Sequence, residues 1–276
     1  MKEQKSILIT GCSTGIGYCV AHGLKKRGYR VFASARNVDD VERLREEGLE
    51  SIHLDLTDPL SMKNAITRIL QETGGHLYGL FNNGAYGQPG ALEDISTENL
   101  RRQFETNVFG WHELTNLVLP VMRKQGYGRI IQNSSVLGLV SLKFRGAYNA
   151  SKYAIEGLSD TLRQELIGTN IFVSLVEPGP VESHFRANSF RIYKKTINKE
   201  NSPFKKHYEA MEERLTKKGP AVPFTLPPEA VLRKVVHALE NKHPRARYYV
   251  TFPTYLFGYL KRVLPASTLD KLLNKI

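Results

Sequence analysis

Short β-rich runs alternate with longer amphipathic stretches along this chain, and that alternation admits few folds. The runs at 6–10, 30–35, 51–54, 77–82, 128–134 and 171–177 are nearly continuous in Ile, Val, Leu, Phe or Tyr, as strands covered on both faces require. Between them, 16–27, 38–47, 59–73, 97–125 and 145–169 carry helical spacing. A β-α-β-α order of this kind specifies an α/β fold, a doubly wound parallel sheet flanked by helices. No composition shift divides the 276 residues, and one α/β domain reaches that length. After residue 178 the rhythm breaks. Residues 179–226 are rich in Lys, Pro and Phe and read as an irregular, substrate-binding excursion with one short helix near 207–218. "LPPEAVLRKVVHALEN" then supplies a helix with Pro228 suited to its first turn. A strand at 247–250 and an aromatic, basic tail at 252–276 complete the chain.

The first strand runs into "TGCSTGIG", residues 10–17, with glycines at 11, 15 and 17. Such a loop lets backbone approach a pyrophosphate, whose charge then sits at the positive end of the next helix. Strand, glycine loop and helix at the start of an α/β chain describe a Rossmann nucleotide site. The second strand ends "VFASARN", where an acidic side chain would bind the adenosine ribose and select NAD. Here Ser34, Ala35 and Arg36 stand instead, and a guanidinium suits a 2′-phosphate. Asp39 and Asp40 lie near the distance expected of a ribose ligand. They read better as first-turn acids of the following helix, capped by Asn37. The reading therefore favours NADP.

In "GAYNASKYA", Tyr148 and Lys152 are four residues apart on a predicted helix, so they share one face. A tyrosine ionises near pH ~10, too high for acid–base work at neutrality. A fixed ammonium, together with an oxidised nicotinamide, would lower that value and let the phenol exchange a proton with a carbonyl oxygen. Ser135 lies just beyond the strand "GRIIQNS", where ligands bind in such sheets. Its hydroxyl would support the substrate oxygen as charge develops. Ser134 competes for that role, and spacing alone leaves both open.

With these motifs in order, the chain resembles the short-chain dehydrogenase/reductase family over residues 5 to about 250. The resemblance implies a catalytic set of Asn107, Ser135, Tyr148 and Lys152, with Asn107 in "ETNVFG" holding a water beside Lys152. It implies cofactor contacts from Gly11, Ser13, Thr14, Gly15, Ile16 and Gly17, and from Asp55 and Leu56 in "HLDLTD". "NNGA", where the family has Asn-Asn-Ala-Gly, would add Asn82, Asn83 and Gly84. "EPGPVES" would add Pro178, Gly179, Val181 and Ser183, a serine replacing the usual threonine. "SSVLGLVS" and "YNASKYAIEGLSDTLRQEL" are most similar to retinol and 17β-hydroxysteroid dehydrogenases and to bacterial aldehyde reductases. That branch implies a lipophilic carbonyl or alcohol as substrate and a homodimer built on the 145–169 helix.

The formal net charge of +12 raises nucleic acid or an anionic membrane as partners. The basic residues are dispersed, however, and denser only at 186–218, which reads as a solvated, mobile segment with no nucleic-acid motif. Two cysteines, Cys12 and Cys19, make no disulfide framework, no Cys/His cluster has metal-site spacing, and no signal sequence fits before the first strand. A reducing, cytoplasmic setting is expected. In the tail, Leu256, Leu260, Val263 and Leu264 have helical spacing but fall short of the ~20 residues a membrane span needs. The tail is expected to cover the substrate mouth or a second subunit, with a helix lying on a membrane surface as the alternative. The main rivals to an NADP-dependent reductase are an NAD-dependent alcohol dehydrogenase and a nucleotide-sensing regulator that keeps the fold.

Overall fold

The structure is a computed structural model describing residues 4–276. Seven strands, β1 (Ser6–Ile9), β2 (Arg30–Ala35), β3 (Glu50–His53), β4 (Gly79–Asn82), β5 (Gly128–Asn133), β6 (Ile171–Glu177) and β7 (Arg247–Tyr249), form one sheet ordered β3-β2-β1-β4-β5-β6-β7. Every pairing is parallel. Side chains alternate across the sheet, so Ile7 and Ile9 of β1 face one helical layer and Leu8 the other. The first layer is α1 (Gly15–Lys26), α2 (Val38–Glu46) and α9 (Glu229–Glu240), packed through Val20, Leu24, Leu44 and Val235. The second is α3 (Pro59–Glu72), α5 (Gly110–Gln125) and α6 (Gly146–Glu165), packed through Met62, Ile66, Trp111, Val118 and Ile155. The doubly wound reading of the sequence holds.

Because the strands are parallel, the loops after β1, β4, β5 and β6 gather at one edge of the sheet. Strand order reverses between β1 and β4, and this switch point is where such sheets open a crevice.

Three expectations need correction. The long stretch 97–125 is two helices, α4 (Thr97–Phe104) and α5, joined by one wide π turn at Glu105–Phe109. That turn carries Asn107, and such insertions often mark functional positions. The excursion is not irregular. It contains α7 (Phe185–Thr196) and α8 (Lys205–Thr216), whose Tyr193 and Tyr208 rings lie 5.5 Å apart and stay buried with Met211 and Leu215. Its lysines mask this aromatic seam, since Lys199 and Lys205 reach out to pair with Glu212 and Glu200. The tail is two helices, α10 (Phe252–Val263) and α11 (Ala266–Leu273). Leu264, preceding Pro265, turns extended, as a residue before proline tends to.

Candidate active site

A cleft of about 1510 Å³ opens at the switch point, well beyond the ~1,000 Å³ upper range of a pocket for one drug-sized ligand. One end is lined by Gly11, Ser13, Thr14, Gly15 and Ile16, the other by residues of the β5 loop, the excursion and the tail. The glycines are set by close approach. A Cβ on Gly17 would stand 2.2 Å from the Gly11 carbonyl oxygen, and one on Gly15, at φ +62°, would fill the 3.0 Å gap to the Ser183 Cβ. Thr14 caps α1 without a side-chain hydrogen bond, and the first turn carries no acid. Its N–H groups, with the positive end of the helix, are therefore available to an anion. A dinucleotide's pyrophosphate fits this cradle.

Not every residue expected at the cofactor lines the cleft. Asn83, Gly84, Pro178, Gly179, Val181 and Ser183 do. Gly17 and Asn82 lie beneath, with Asn82 donating to the Thr115 hydroxyl at 3.2 Å. Arg36 is exposed just past β2, and Asp55 and Leu56 follow β3. One Asp55 carboxylate oxygen accepts from both the backbone N–H and the hydroxyl of Thr57. Asn37 caps α2 by accepting from the Asp39 N–H at 3.1 Å, and Asp40 pairs with Arg43. Both aspartates are thus helix acids. Arg43, which the sequence did not single out, also donates to the Ser13 carbonyl at 2.7 Å and ties the glycine loop to α2.

The structure separates the two serines after β5. The Ser134 hydroxyl turns away and donates to buried Glu156 on α6. Ser135 faces Tyr148, and hydrogen bonding between their hydroxyls favours the phenolate. Ser135 also accepts from the Leu137 N–H at 3.1 Å, which fixes its rotamer. The Tyr148 ring meets Phe185 of α7 edge-on, with centroids 5.2 Å apart. Lys152 is fully enclosed: its Nζ donates to the Asn133 carbonyl at 2.7 Å and sits 4.4 Å from the centre of the Trp111 ring and 5.5 Å from that of Tyr148. Cation–π contact in so dry a place is worth about 2 kcal/mol. Trp111 is itself positioned by donating to the Gly84 carbonyl at 2.8 Å. Asn107 lies behind the cleft wall. It holds the Tyr86 backbone from both sides, accepting at 3.1 Å and donating at 2.9 Å, and donates to Ser151 at 3.2 Å.

In the chain alone, burial works against the lowering expected of Lys152 and a nicotinamide together. Burial pushes the Tyr148 phenol up to about 12, against the smaller downward pulls of Ser135 and Arg145. Burial also pushes the Lys152 ammonium down to about 7, and the Glu156 charge only partly resists this. In a dry cleft desolvation outweighs the attraction between the two groups. Because Lys152 holds its proton more weakly folded than unfolded, the unfolded chain binds more protons between pH 7 and the lysine reference value near ~10.4. Wild type should therefore gain stability relative to Lys152→Met as pH rises above 7, by at most about 1.4 kcal/mol per unit. Urea unfolding of both proteins at several pH values measures this, and a constant gap would refute it.

Residues 5–193 match the family model for short chain dehydrogenase. The chain belongs to that family. It is 44% identical over 271 residues to the uncharacterized oxidoreductase YbbO of Escherichia coli, covering 98% of this chain and 94% of that one. It is 33% identical over 283 residues to retinol dehydrogenase 16 of Mus musculus, covering 98% and 88%. A solved short chain dehydrogenase/reductase from Burkholderia phymatum in complex with NAD shares the fold, with a TM-score of 0.77, 25% identity and coverage of 95% and 94%. The protein is an oxidoreductase of this family.

The tail helices of this family member form part of the cleft wall. Phe252, Pro253, Leu256, Phe257, Leu273 and Ile276 line the cleft, and Leu269 and Leu273 pack on Val140 of the β5 loop. No helix among the described residues is long and apolar enough to cross a membrane. No group of metal-ligating side chains is present among them, and Cys12 and Cys19 are free.

Proposed function

We propose that this oxidoreductase is an NADP(H)-dependent reductase of a lipophilic carbonyl compound, of the aldehyde, retinoid or ketosteroid type. The supporting observation is a Tyr148–Ser135 hydroxyl pair in the wall of a cleft whose far end is lined by Leu137, Val140, Leu142, Phe185, Leu256 and Phe257. Apolar walls bearing a few polar groups suit such a ligand. The mouse relative, named as a retinol dehydrogenase, is consistent with this class. A bound nicotinamide supplies the hydride. Ser135 orients the carbonyl oxygen, and Tyr148, neutral at physiological pH, delivers the proton to it. Lys152 stands beside the Tyr148 ring, where it would hydrogen-bond the nicotinamide ribose.

NADP is favoured by Arg36, an exposed guanidinium past β2 without an ion-pair partner among the described residues, while both nearby aspartates serve α2. Arg36→Glu should shift the NADPH:NADH ratio of kcat/KM toward NADH by roughly 10- to 100-fold, the worth of a charged hydrogen bond. An unchanged ratio would rule out Arg36 as the selector. The Burkholderia complex with NAD supports the NAD-dependent alternative, which the same assay tests. A screen of NADPH consumption over medium and long aldehydes, retinal and ketosteroids, with Tyr148→Phe as control, tests the function itself. Absence of turnover across the screen would favour a nucleotide-sensing role. A homodimer through α6 is part of the proposal, supported by exposed Leu158. Peripheral membrane contact through the tail is the weaker companion, resting on exposed Phe252, Tyr259 and Val263.

A further inference from the structure

Three arginines enter the substrate end of the cleft, and among the described residues none has an acidic partner. Arg145 precedes α6, Arg186 lies on α7 and Arg214 on the last turn of α8, and all three line the cleft. Arg186 is used by the fold: it donates to the carbonyls of Arg214 at 3.1 Å and Lys217 at 3.0 Å, and to that of Gly219. Arg145 and Arg214 are different. Among the described residues neither guanidinium has a hydrogen bond or an ion pair. Glu182 and Glu229 also line the cleft, but the charged side chains that act on the two arginines are arginines, Arg214 on Arg145 and Arg186 on Arg214.

Electrostatics makes this arrangement costly without an anion. Burial, reinforced by Arg214, pushes Arg145 down to about 9, so at neutral pH it stays charged. Arg145 also stands at the N-cap of a 20-residue helix with no side-chain cap and no first-turn acid. A cation there opposes the helix dipole. A half-buried charge without a counter-ion is costly, and like charges nearby raise the cost. Tyr148 follows Arg145 by one helical turn and is close enough that the guanidinium favours its phenolate.

We infer that Arg145 and Arg214 form an oxyanion-binding site beside Tyr148, so that the substrate is an amphiphile. Its apolar chain runs toward the tail helices, and its carboxylate, sulfonate or phosphate head lies near the reacting carbonyl. A planar guanidinium fork matches such oxyanions. The word substrate rests on the reductase function proposed above; the anion site itself does not.

The test uses the full chain and two readouts. The first is NADPH-dependent kcat/KM for medium-chain oxo acids and for their methyl esters. Wild type should prefer the acids by roughly 10- to 100-fold, the worth of hydrogen bonds to a charged group. Arg145→Met and Arg214→Met should each erase most of that preference. Arg214→Lys, which keeps the charge but loses the fork, should restore part of it, and it remains informative if Arg145→Met does not fold. The second is calorimetric binding of decanoate against methyl decanoate, which needs no turnover. Wild type indifferent to the acid in both readouts overturns the inference, as does a preference that survives both Met variants. A raised KM for NADPH with an unchanged acid:ester ratio also overturns it, because the anion would then be the cofactor's phosphate. Decanoate binding that depends on Arg145 and Arg214, with no carbonyl reduced, upholds the site and fails the reductase function.

Discussion

Tyr148→Phe is expected to lower the catalytic rate of carbonyl reduction by about 10²- to 10⁴-fold, the range a positioned general acid supplies. The ring would stay where it is, because its edge-on contact with Phe185 involves no oxygen. Melting temperature and dinucleotide affinity should therefore change little, and the loss should fall on the proton transfer. Ser135→Ala should cost less, since that hydroxyl supports the oxygen without donating the transferred proton. The raised phenol, about 12 in the chain alone, also sets the pH behaviour. The acid needed for reduction stays protonated through neutrality, so reduction should be flat there, while oxidation, which needs the phenolate, should climb with pH. Rates in both directions from pH 6 to 10 measure this. Turnover within a few-fold of wild type in Tyr148→Phe would remove Tyr148 from the chemistry.

What the sequence revealed was local. The glycine loop, the Asn37 cap and the Tyr148–Lys152 spacing each involve neighbours within a turn or two, so chemistry and conformation are specified by the same few residues. What it hid depends on distant partners. Ser134 and Ser135 are interchangeable in "NSS" until Glu156, a turn beyond Lys152, takes the Ser134 hydroxyl. Trp111 reads as an ordinary core residue, yet the closure of α5 on α6 puts its ring against Lys152. The excursion misled through composition: its lysines suggested solvated chain, while the aromatic residues that fold α7 on α8 are spaced too irregularly to announce a stripe. The same fold-back half-buries Arg186 and Arg214 and brings Arg214 to bear on Arg145, and no periodicity encodes that meeting.

The largest stability loss should come from Arg247→Met, distant in sequence from Ser135, Tyr148 and Lys152. Arg247 on β7 bonds three carboxylates at once: Glu156, Glu177 at 2.7 Å and Asp160 at 2.6 Å. Glu177 is wholly buried, and removing its cation leaves acidic groups facing one another in a dry place. Breaking such a pair costs about 3–5 kcal/mol. Burial, and then the neighbouring Glu156 charge, already raise the Glu177 carboxyl to about 8 with the arginine present. A carboxyl that binds its proton more tightly when folded adds stability below its unfolded pKa of about 4.3, and that stability is lost as pH climbs through the folded value. Without Arg247 the folded value should rise further above about 8, so the variant's deficit should be smaller near pH ~7 than near pH ~10. Urea unfolding at those two pH values measures it, and an equal deficit at both would mean that the carboxylates do not take up protons when their cation is lost. Because Glu156 also holds Ser134 and acts on Lys152, the damage should reach the site. Collapse of this cluster loosens the Ser134–Gly138 turn, where a Cβ on Gly138 would already stand 2.8 Å from the Ser134 hydroxyl. Arg247→Met at a temperature where it remains folded should therefore lose kcat more than substrate affinity, since Ser135 would no longer be held at the distance Tyr148 requires.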